Sequence, residues 1–134
     1  MKVPLKRTLT LAIAAVALDA SLSSILGKAP FAGTVTGVGY IPNAAITGAD
    51  TDSRRIAVTN RGQAGAGTAE IAALGFDTGI NAVAFDEKAL TLNATPANLV
   101  VAAGDVLTVD SATLGTGLAD PGGVIVVEIT RDAA

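Results

Sequence analysis

The 134-residue sequence contains no cysteine, no histidine and no tryptophan. Without cysteine, neither a disulfide nor a thiolate metal site can form, and without histidine the commonest general base and metal ligand is missing. Three phenylalanines and one tyrosine are the whole aromatic content, which provides little for stacking on nucleic-acid bases. A formal net charge of −3 also repels a phosphate backbone. We therefore expect a protein without enzymatic activity, cofactor, metal or nucleic-acid partner.

Half of the residues are hydrophobic, and 27 alanines supply a large share of them. A chain of this length is expected to form one domain and to bury about two thirds of the surface of its unfolded state. Because alanine side chains are small, we expect a single copy to be only modestly stable. The composition therefore favours support from an oligomer or from a larger assembly.

The first seven residues carry three basic side chains, Lys2, Lys6 and Arg7, and an apolar run follows. One interpretation is a secretory signal, with residues 9–18 as its apolar region and Ala15-Val16-Ala17 as its cleavage site. The apolar run is too short to span a bilayer, so no membrane segment is expected. In the alternative, residues 8–13 alternate as a strand does, although Ala and Leu would also suit a helix. We favour a retained N-terminal arm that leads into a strand.

The rest of the chain consists of short β-rich runs separated by glycine, proline and asparagine. Residues 62–67 predict a hairpin turn, and residues 79–85 are ambiguous and could hold a single helical turn. The connector over residues 110–123 is too rich in glycine and proline for a helix, and we predict a surface loop with a binding role. The predicted strands are residues 8–13, 21–26, 33–40, 54–60, 68–76, 88–93, 98–102, 106–109 and 124–129.

About eight or nine short strands with turn signals between them are typical of an all-β fold. We predict an antiparallel β-sandwich or jelly roll with an extended N-terminal arm. Residues 1–28 would form the arm and the first strands, and residues 29–134 would form the body of a single domain.

Acidic and glycine-rich stretches give no convincing chemical site. Asp50-Thr51-Asp52 is similar to the start of a calcium loop, but Arg54 and Arg55 stand where further acidic ligands are needed, which favours a polar turn. Gly115-Thr116-Gly117 precedes a strand rather than a helix, so its glycines are assigned to a turn and not to phosphate binding. An enzyme could use only a facing pair of carboxylates. The candidates for such a pair are Asp50, Asp86, Asp105 and Asp120.

Several loop stretches carry a resemblance to a known family. The stretches are residues 29–35 (APFAGTV), 44–54 (AAITGADTDSR) and 115–123 (GTGLADPGG), with NRGQ at 60–63 and AFD at 84–86 between them. Together they resemble small head proteins of tailed bacteriophages, in particular the decoration or cement proteins on the outside of the capsid. The resemblance extends from the first of these stretches to about residue 129 and includes no catalytic residue.

The resemblance implies a β-sandwich or jelly-roll body, a homo-oligomer that is often a trimer, and docking onto the major capsid protein at the outer surface of the virion. The basic N-terminal end and the loops over residues 46–54 and 115–123 are the predicted contact regions. The individual candidates are Lys2, Lys6, Arg7, Thr47, Asp50, Asp52, Arg54, Leu118, Asp120 and Pro121. The rival hypothesis is a secreted or cell-surface β-sandwich adhesion module, from which a signal peptide of about twenty residues is cleaved.

Overall fold

The computed structural model describes residues 5–115 and 117–131, and it is built from strands. Within these ranges it has ten strands and one short 3-10 helix. The strands are β1 (Leu5–Ile13), β2 (Leu22–Lys28), β3 (Gly33–Pro42), β4 (Ser53–Asn60), β5 (Ala69–Gly75), β6 (Lys88–Ala89), β7 (Thr91–Leu92), β8 (Val100–Val101), β9 (Val106–Leu114) and β10 (Gly123–Arg131), and the helix is Pro96–Leu99. No helix in the described part of the chain is long and apolar enough to cross a membrane.

The strands form two antiparallel sheets that pack as a β-sandwich, which confirms the predicted fold class. The first sheet has the order β1-β10-β3-β6, with β8 also paired to β3, and the second has the order β2-β9-β4-β5-β7. β1 pairs with β10 over its whole length, so residues 8–13 form a strand as their alternation predicted and not a helix. The jelly-roll connectivity and the extended N-terminal arm stay predictions. Residues 5–7 of the predicted arm belong to β1, and residues 1–4 lie outside the described residues.

The core lies between the sheets, and β9 and β10 present alternate apolar side chains to it. On β10 the inward side chains are Ile125, Val127 and Ile129, each 0% exposed, and the residues between them face outward. On β4, Ile56 and Val58 are fully buried, and Ala57 and Thr59 on the other face are also buried, at 6% and 8% exposed. β-branched side chains suit such a pleated and buried surface.

β4 and β5 form the predicted hairpin, but a β-bulge changes the pattern of the second strand. The register shifts between Val58 and Thr59, so Ile71 and Ala72 are both buried although they are neighbours in the chain. The predicted alternation along residues 68–76 is therefore interrupted. The turn itself, residues 62–67, is exposed at its tip and connects β4 to the antiparallel β5.

Three further segments differ from their predictions. Residues 88–93 form two short strands in different sheets, because the chain crosses between the sheets at the buried Leu90. Residues 98–102 are the end of the 3-10 helix, whose first residue is Pro96, followed by β8. Residues 79–85 contain a turn and a bridge from Ala82 to Ile46, without a helical turn.

The connector between β9 and β10 also differs from its prediction. β9 continues to Leu114, and the two strands lie in opposite sheets, so the connector crosses from one sheet to the other. Gly117, Asp120 and Gly122 are buried. The prediction of a simple surface loop was therefore wrong for the middle of this segment.

Candidate binding surface at the loop end of the sandwich

One end of the sandwich collects most of the long connections. Here β1, β3, β5 and β9 finish and β4 and β10 begin, as the paired residues at the strand termini show. We call this the loop end, and it comprises residues 14–21, 43–52, 76–87 and 117–122. Backbone hydrogen bonds join these segments, including Asn43 N to Gly122 O at 2.8 Å and Ala49 N to Phe76 O at 3.1 Å. The loop end is therefore a connected surface rather than a set of independent loops.

A buried arginine donates hydrogen bonds to two of these segments. Arg54, at the start of β4, is only 1% exposed. Its Nε donates to the Leu118 carbonyl at 2.6 Å, and its Nη2 donates to the carbonyls of Ala17 and Ala20 at 3.0 Å each. Its Nη1 donates to the Ser111 hydroxyl at 3.0 Å. The planar guanidinium has several donors in a fixed geometry, so one side chain fixes both the 14–21 and the 117–122 segments.

A buried aspartate completes the arrangement. Asp120 is 1% exposed, and its Oδ1 accepts hydrogen bonds from the Tyr40 hydroxyl at 2.5 Å and from the Gly122 N–H at 3.0 Å. Its Oδ2 accepts from the Ser111 hydroxyl at 2.7 Å, so Ser111 connects the arginine to the carboxylate. The backbone of Asp120 also pairs with Val16 in both directions at 2.8 Å. We call Tyr40, Arg54, Ser111 and Asp120 the Arg54–Asp120 network.

The network is electrostatically consistent with a structural role. Burial, with the hydrogen bond and charge of Asp120 acting in the same direction, raises the pKa of Tyr40 well above its usual range. Tyr40 therefore stays a neutral phenol that donates to the carboxylate. Burial lowers the pKa of Arg54, while the negative charge of Asp120 opposes that shift. Arginine remains protonated in proteins, so the network contains a cation and an anion joined through a hydroxyl.

The predicted contact residues of the two loops divide into buried and accessible groups. Arg54 and Asp120 were predicted to touch a partner, but both are buried, and this part of the prediction was wrong. Thr47, Asp50 and Asp52 are exposed on the loop end, whereas Leu118 and Pro121 are half-buried.

The segment with Asp50 is a polar turn, as the sequence favoured. Asp50 Oδ1 accepts a hydrogen bond from Thr78 N at 3.1 Å. Across the described ranges, no group of three acidic side chains comes close enough together to hold a metal ion. The turn also contacts the other predicted loop, because a Cβ on Gly115 would lie 2.5 Å from the Thr51 carbonyl oxygen. The structure thus brings the two predicted contact loops together.

Two of the three predicted basic contact residues, Lys6 and Arg7, lie at the opposite end of the sandwich. Lys6 and Arg7 are exposed near the start of β1, where Arg7 faces Ile129, and Lys2 lies outside the described residues. Six residues of extended strand separate Arg7 from the end of β1, which is about 20 Å at roughly 3.3 Å per residue. Lys6 Nζ lies 3.6 Å from Glu128 Oε1, in an exposed ion pair. The basic end and the loops therefore do not form one continuous surface.

Exposed apolar side chains at the loop end were missed by the sequence reasoning. Among the described residues, six large hydrophobic side chains are exposed, and four of them belong to the loop end or border it. These four are Leu18, Val83, Phe85 and Leu114. The only available signal was that an aromatic residue stands outside every predicted strand in a chain with few aromatics.

Phe85 is the most exposed of the six, at 79%, and its backbone is unusual. Its φ is 63°, and it is the one non-glycine residue with positive φ in the described part of the chain. This conformation costs about 1–2 kcal/mol for an L-residue with a side chain. The Phe85 N–H donates to the Pro42 carbonyl at 2.8 Å, which fixes the turn to the end of β3. An aromatic ring is thus held outward at the expense of stability, and such strain is typical of functional positions.

Comparisons with known proteins identify no relative. No family model matches the chain, and neither the curated proteins nor the solved structures contain a match.

Proposed function

We propose that this chain is a capsid decoration protein, which binds the outer surface of a tailed-phage head where subunits of the major capsid protein meet. Bound there, it stabilises the shell by contact and carries out no reaction. The observation that carries the proposal is the loop end, where two of the phage-like motifs meet among exposed apolar side chains. These motifs are residues 44–54 and 115–123, and Arg54 joins them by its hydrogen bond to the Leu118 carbonyl.

The composition of the loop end suits a protein-binding surface. Binding energy in protein interfaces is concentrated in a few buried anchors, often aromatic, surrounded by polar residues. Phe85 and Val83 are exposed by 79% and 65%, and the polar Thr47 and Asp50 lie on the same end. Each such apolar side chain contributes about 1.5–3 kcal/mol when a partner covers it completely.

The Arg54–Asp120 network makes the loop end well suited to docking, since it removes much of the freedom of the loops before any partner arrives. Ordering flexible loops on binding is unfavourable, so a surface that is already ordered binds more tightly for the same contact area. Repeated contacts on a capsid lattice add avidity to each individual contact. We infer that the protein acts as a homo-oligomer, as the family that it resembles does.

The proposal can be tested with heads of the corresponding phage that lack the protein. The double variant Val83→Thr with Phe85→Asn should bind these heads at least tenfold more weakly than the unaltered protein, because one lost anchor of about 1.4 kcal/mol already gives tenfold. Binding is measured from the number of copies retained on sedimented heads over a concentration series. Heads saturated with the unaltered protein should also resist a higher temperature than bare heads.

A matched control uses the two exposed hydrophobic side chains that lie away from the loop end, Ile25 and Val100. The double variant Ile25→Thr with Val100→Thr removes similar apolar area and should bind heads within about twofold of the unaltered protein. Failure of the unaltered protein to bind heads would refute the proposed function. Equal loss in both double variants would show that the loop end is not the contact surface.

A further inference from the structure

The two sheets have edges of very different character. β6, β7 and β8 contain only two residues each, and very short edge strands offer little to an incoming strand. β2 is longer, but its register shifts between Ile25 and Gly27, and it ends in Lys28. A bulge and a terminal charge are common means by which proteins protect an edge from pairing with another chain. These edges therefore carry features that prevent pairing with a strand of another chain.

β1 lacks these protections along most of its length. It has nine residues, occupies the edge of the first sheet, and pairs with β10 without any register shift. Its charges are confined to Lys6 and Arg7, and the six residues from Thr8 to Ile13 contain no charge, proline or glycine. Lys6, Arg7, Thr8, Thr10 and Ala12 are exposed, which is expected of a strand whose outer side is accessible. A long, regular and uncharged edge is a template for pairing with another strand.

We propose that β1 pairs with β1 of a second copy, so that the two first sheets join into one continuous antiparallel sheet. When the full lengths of the two strands overlap, Leu9 lies opposite the Leu9 of the second copy. Thr8 then faces Thr10, and each pair occurs twice because the contact is twofold. Threonine pairs are favourable across antiparallel strands. Nine paired residues give about eight to ten main-chain hydrogen bonds, close to the number in a typical protein interface.

The charges of β1 are compatible with this register. Lys6 lies opposite Ala12 and Arg7 opposite Leu11, so no like charges face each other directly. The two Lys6 residues are six positions apart along the joined strands, which is about 20 Å and beyond the screening distance of about 8–10 Å at physiological salt. Leu9 and Leu11 are half-buried against the core, and the second copy would cover the remainder of both side chains. Burial of these leucines adds a hydrophobic contribution to the main-chain pairing.

The purified protein alone is sufficient for the test, which therefore does not depend on binding to phage heads. The double variant Thr8→Lys with Thr10→Lys adds two charges to exposed positions at the centre of the edge. In the paired state each new lysine lies directly opposite a new lysine of the second copy, which adds repulsion that the single copy does not have. Sedimentation equilibrium at about 0.15 M salt should show a dimer for the unaltered protein. The variant should need at least tenfold higher concentration to associate, since like charges across paired strands are destabilising.

The matched control is the double variant Thr68→Lys with Thr91→Lys, which adds the same charge at exposed threonines outside β1. It should associate as the unaltered protein does.

A second readout uses only the unaltered protein: amide hydrogen exchange along residues 5–13 should slow as the protein concentration rises. A monomer at about 100 μM, or an oligomer of any size that the edge variant leaves unchanged, would overturn the proposal. Exchange in β1 that is independent of concentration would overturn it as well.

Discussion

Replacing Arg54 with methionine should strongly destabilise the fold, and the size of the effect follows from what the guanidinium contacts. The side chain is 1% exposed and donates four hydrogen bonds, to the Leu118, Ala17 and Ala20 carbonyls and to the Ser111 hydroxyl. Methionine fills much of the volume but leaves these acceptors without their donor. It also removes the buried positive charge that balances Asp120.

Breaking a buried charge pair by removing one partner costs about 3–5 kcal/mol. A domain of this size typically has an unfolding free energy of about 5–15 kcal/mol, so the loss is a large fraction of the total. An unfolding entropy of roughly 2.1 cal/mol/K per residue gives about 3.5 °C of Tm for each kcal/mol. We therefore expect the Tm of Arg54→Met to fall by about 10–18 °C, measured by calorimetry and by urea denaturation.

The neighbouring residue provides the control. Arg55 also pairs with a carboxylate, Glu70, at 2.6 Å, but the two side chains are partly exposed, at 42% and 36%. Exposed pairs contribute about 0–1 kcal/mol, so Arg55→Met should lower the Tm by no more than about 3.5 °C.

A double-mutant cycle of Arg54 and Asp120 isolates the contribution of the buried charge pair to stability. If Arg54→Met leaves Asp120 as an uncompensated buried anion, then adding Asp120→Asn should recover about 1–3 kcal/mol relative to the sum of the single changes. A loss below about 1 kcal/mol for Arg54→Met, or strict additivity of the two changes, would refute the reasoning about the Arg54–Asp120 network.

Two further predictions concern other positions. The Ala102 N–H and the Asn60 amide lower the pKa of Asp105, so its stabilising effect should be complete above about pH 4 and should be lost as the pH falls through the folded-state pKa. Urea denaturation from pH 7 to about pH 2 should therefore show a weaker acid dependence for Asp105→Asn, and an unchanged pH profile would contradict this assignment. Phe85→Asn should raise the unfolding free energy by about 1 kcal/mol, because asparagine tolerates positive φ. A lower Tm for this variant would indicate that Phe85 supports the fold instead.

The strand pattern was readable from the sequence where one face of a strand is apolar and the other is not. The alternation of Ile125, Val127 and Ile129 and that of Ile56 and Val58 correspond to side chains that are 0% exposed. Leu90 shows the limit of this reasoning, since an alternating run looks the same whether it stays in one sheet or crosses to the other. Which strands pair across the sandwich depends on long-range contacts that local periodicity does not contain.

The sequence predicted which two loops belong to the candidate site, but it did not predict which of their residues are buried and which apolar side chains are exposed. Charged residues are rarely buried, so Arg54 and Asp120 were assigned to the surface. The partners of Arg54, the Leu118 carbonyl and the Ser111 hydroxyl, lie 64 and 57 residues away along the chain. Tyr40, which donates to Asp120, lies 80 residues away, so local sequence carries no signal for this network. The outward orientation of Phe85 depends on a backbone angle that the sequence does not encode in any recognised turn motif.

The hairpin turn between β4 and β5 has a practical consequence. Its tip lies at the end of the sandwich opposite the loop end, and residues 63–66 are exposed there. Gly65 has a φ of 82°, and a Cβ built on it meets nothing within 4 Å. Exposed tips of this kind tolerate insertions well. A guest peptide placed between Gly65 and Ala66 would project away from the loop end. Under the proposed function, such an insertion would display the peptide in many copies on the outside of a particle.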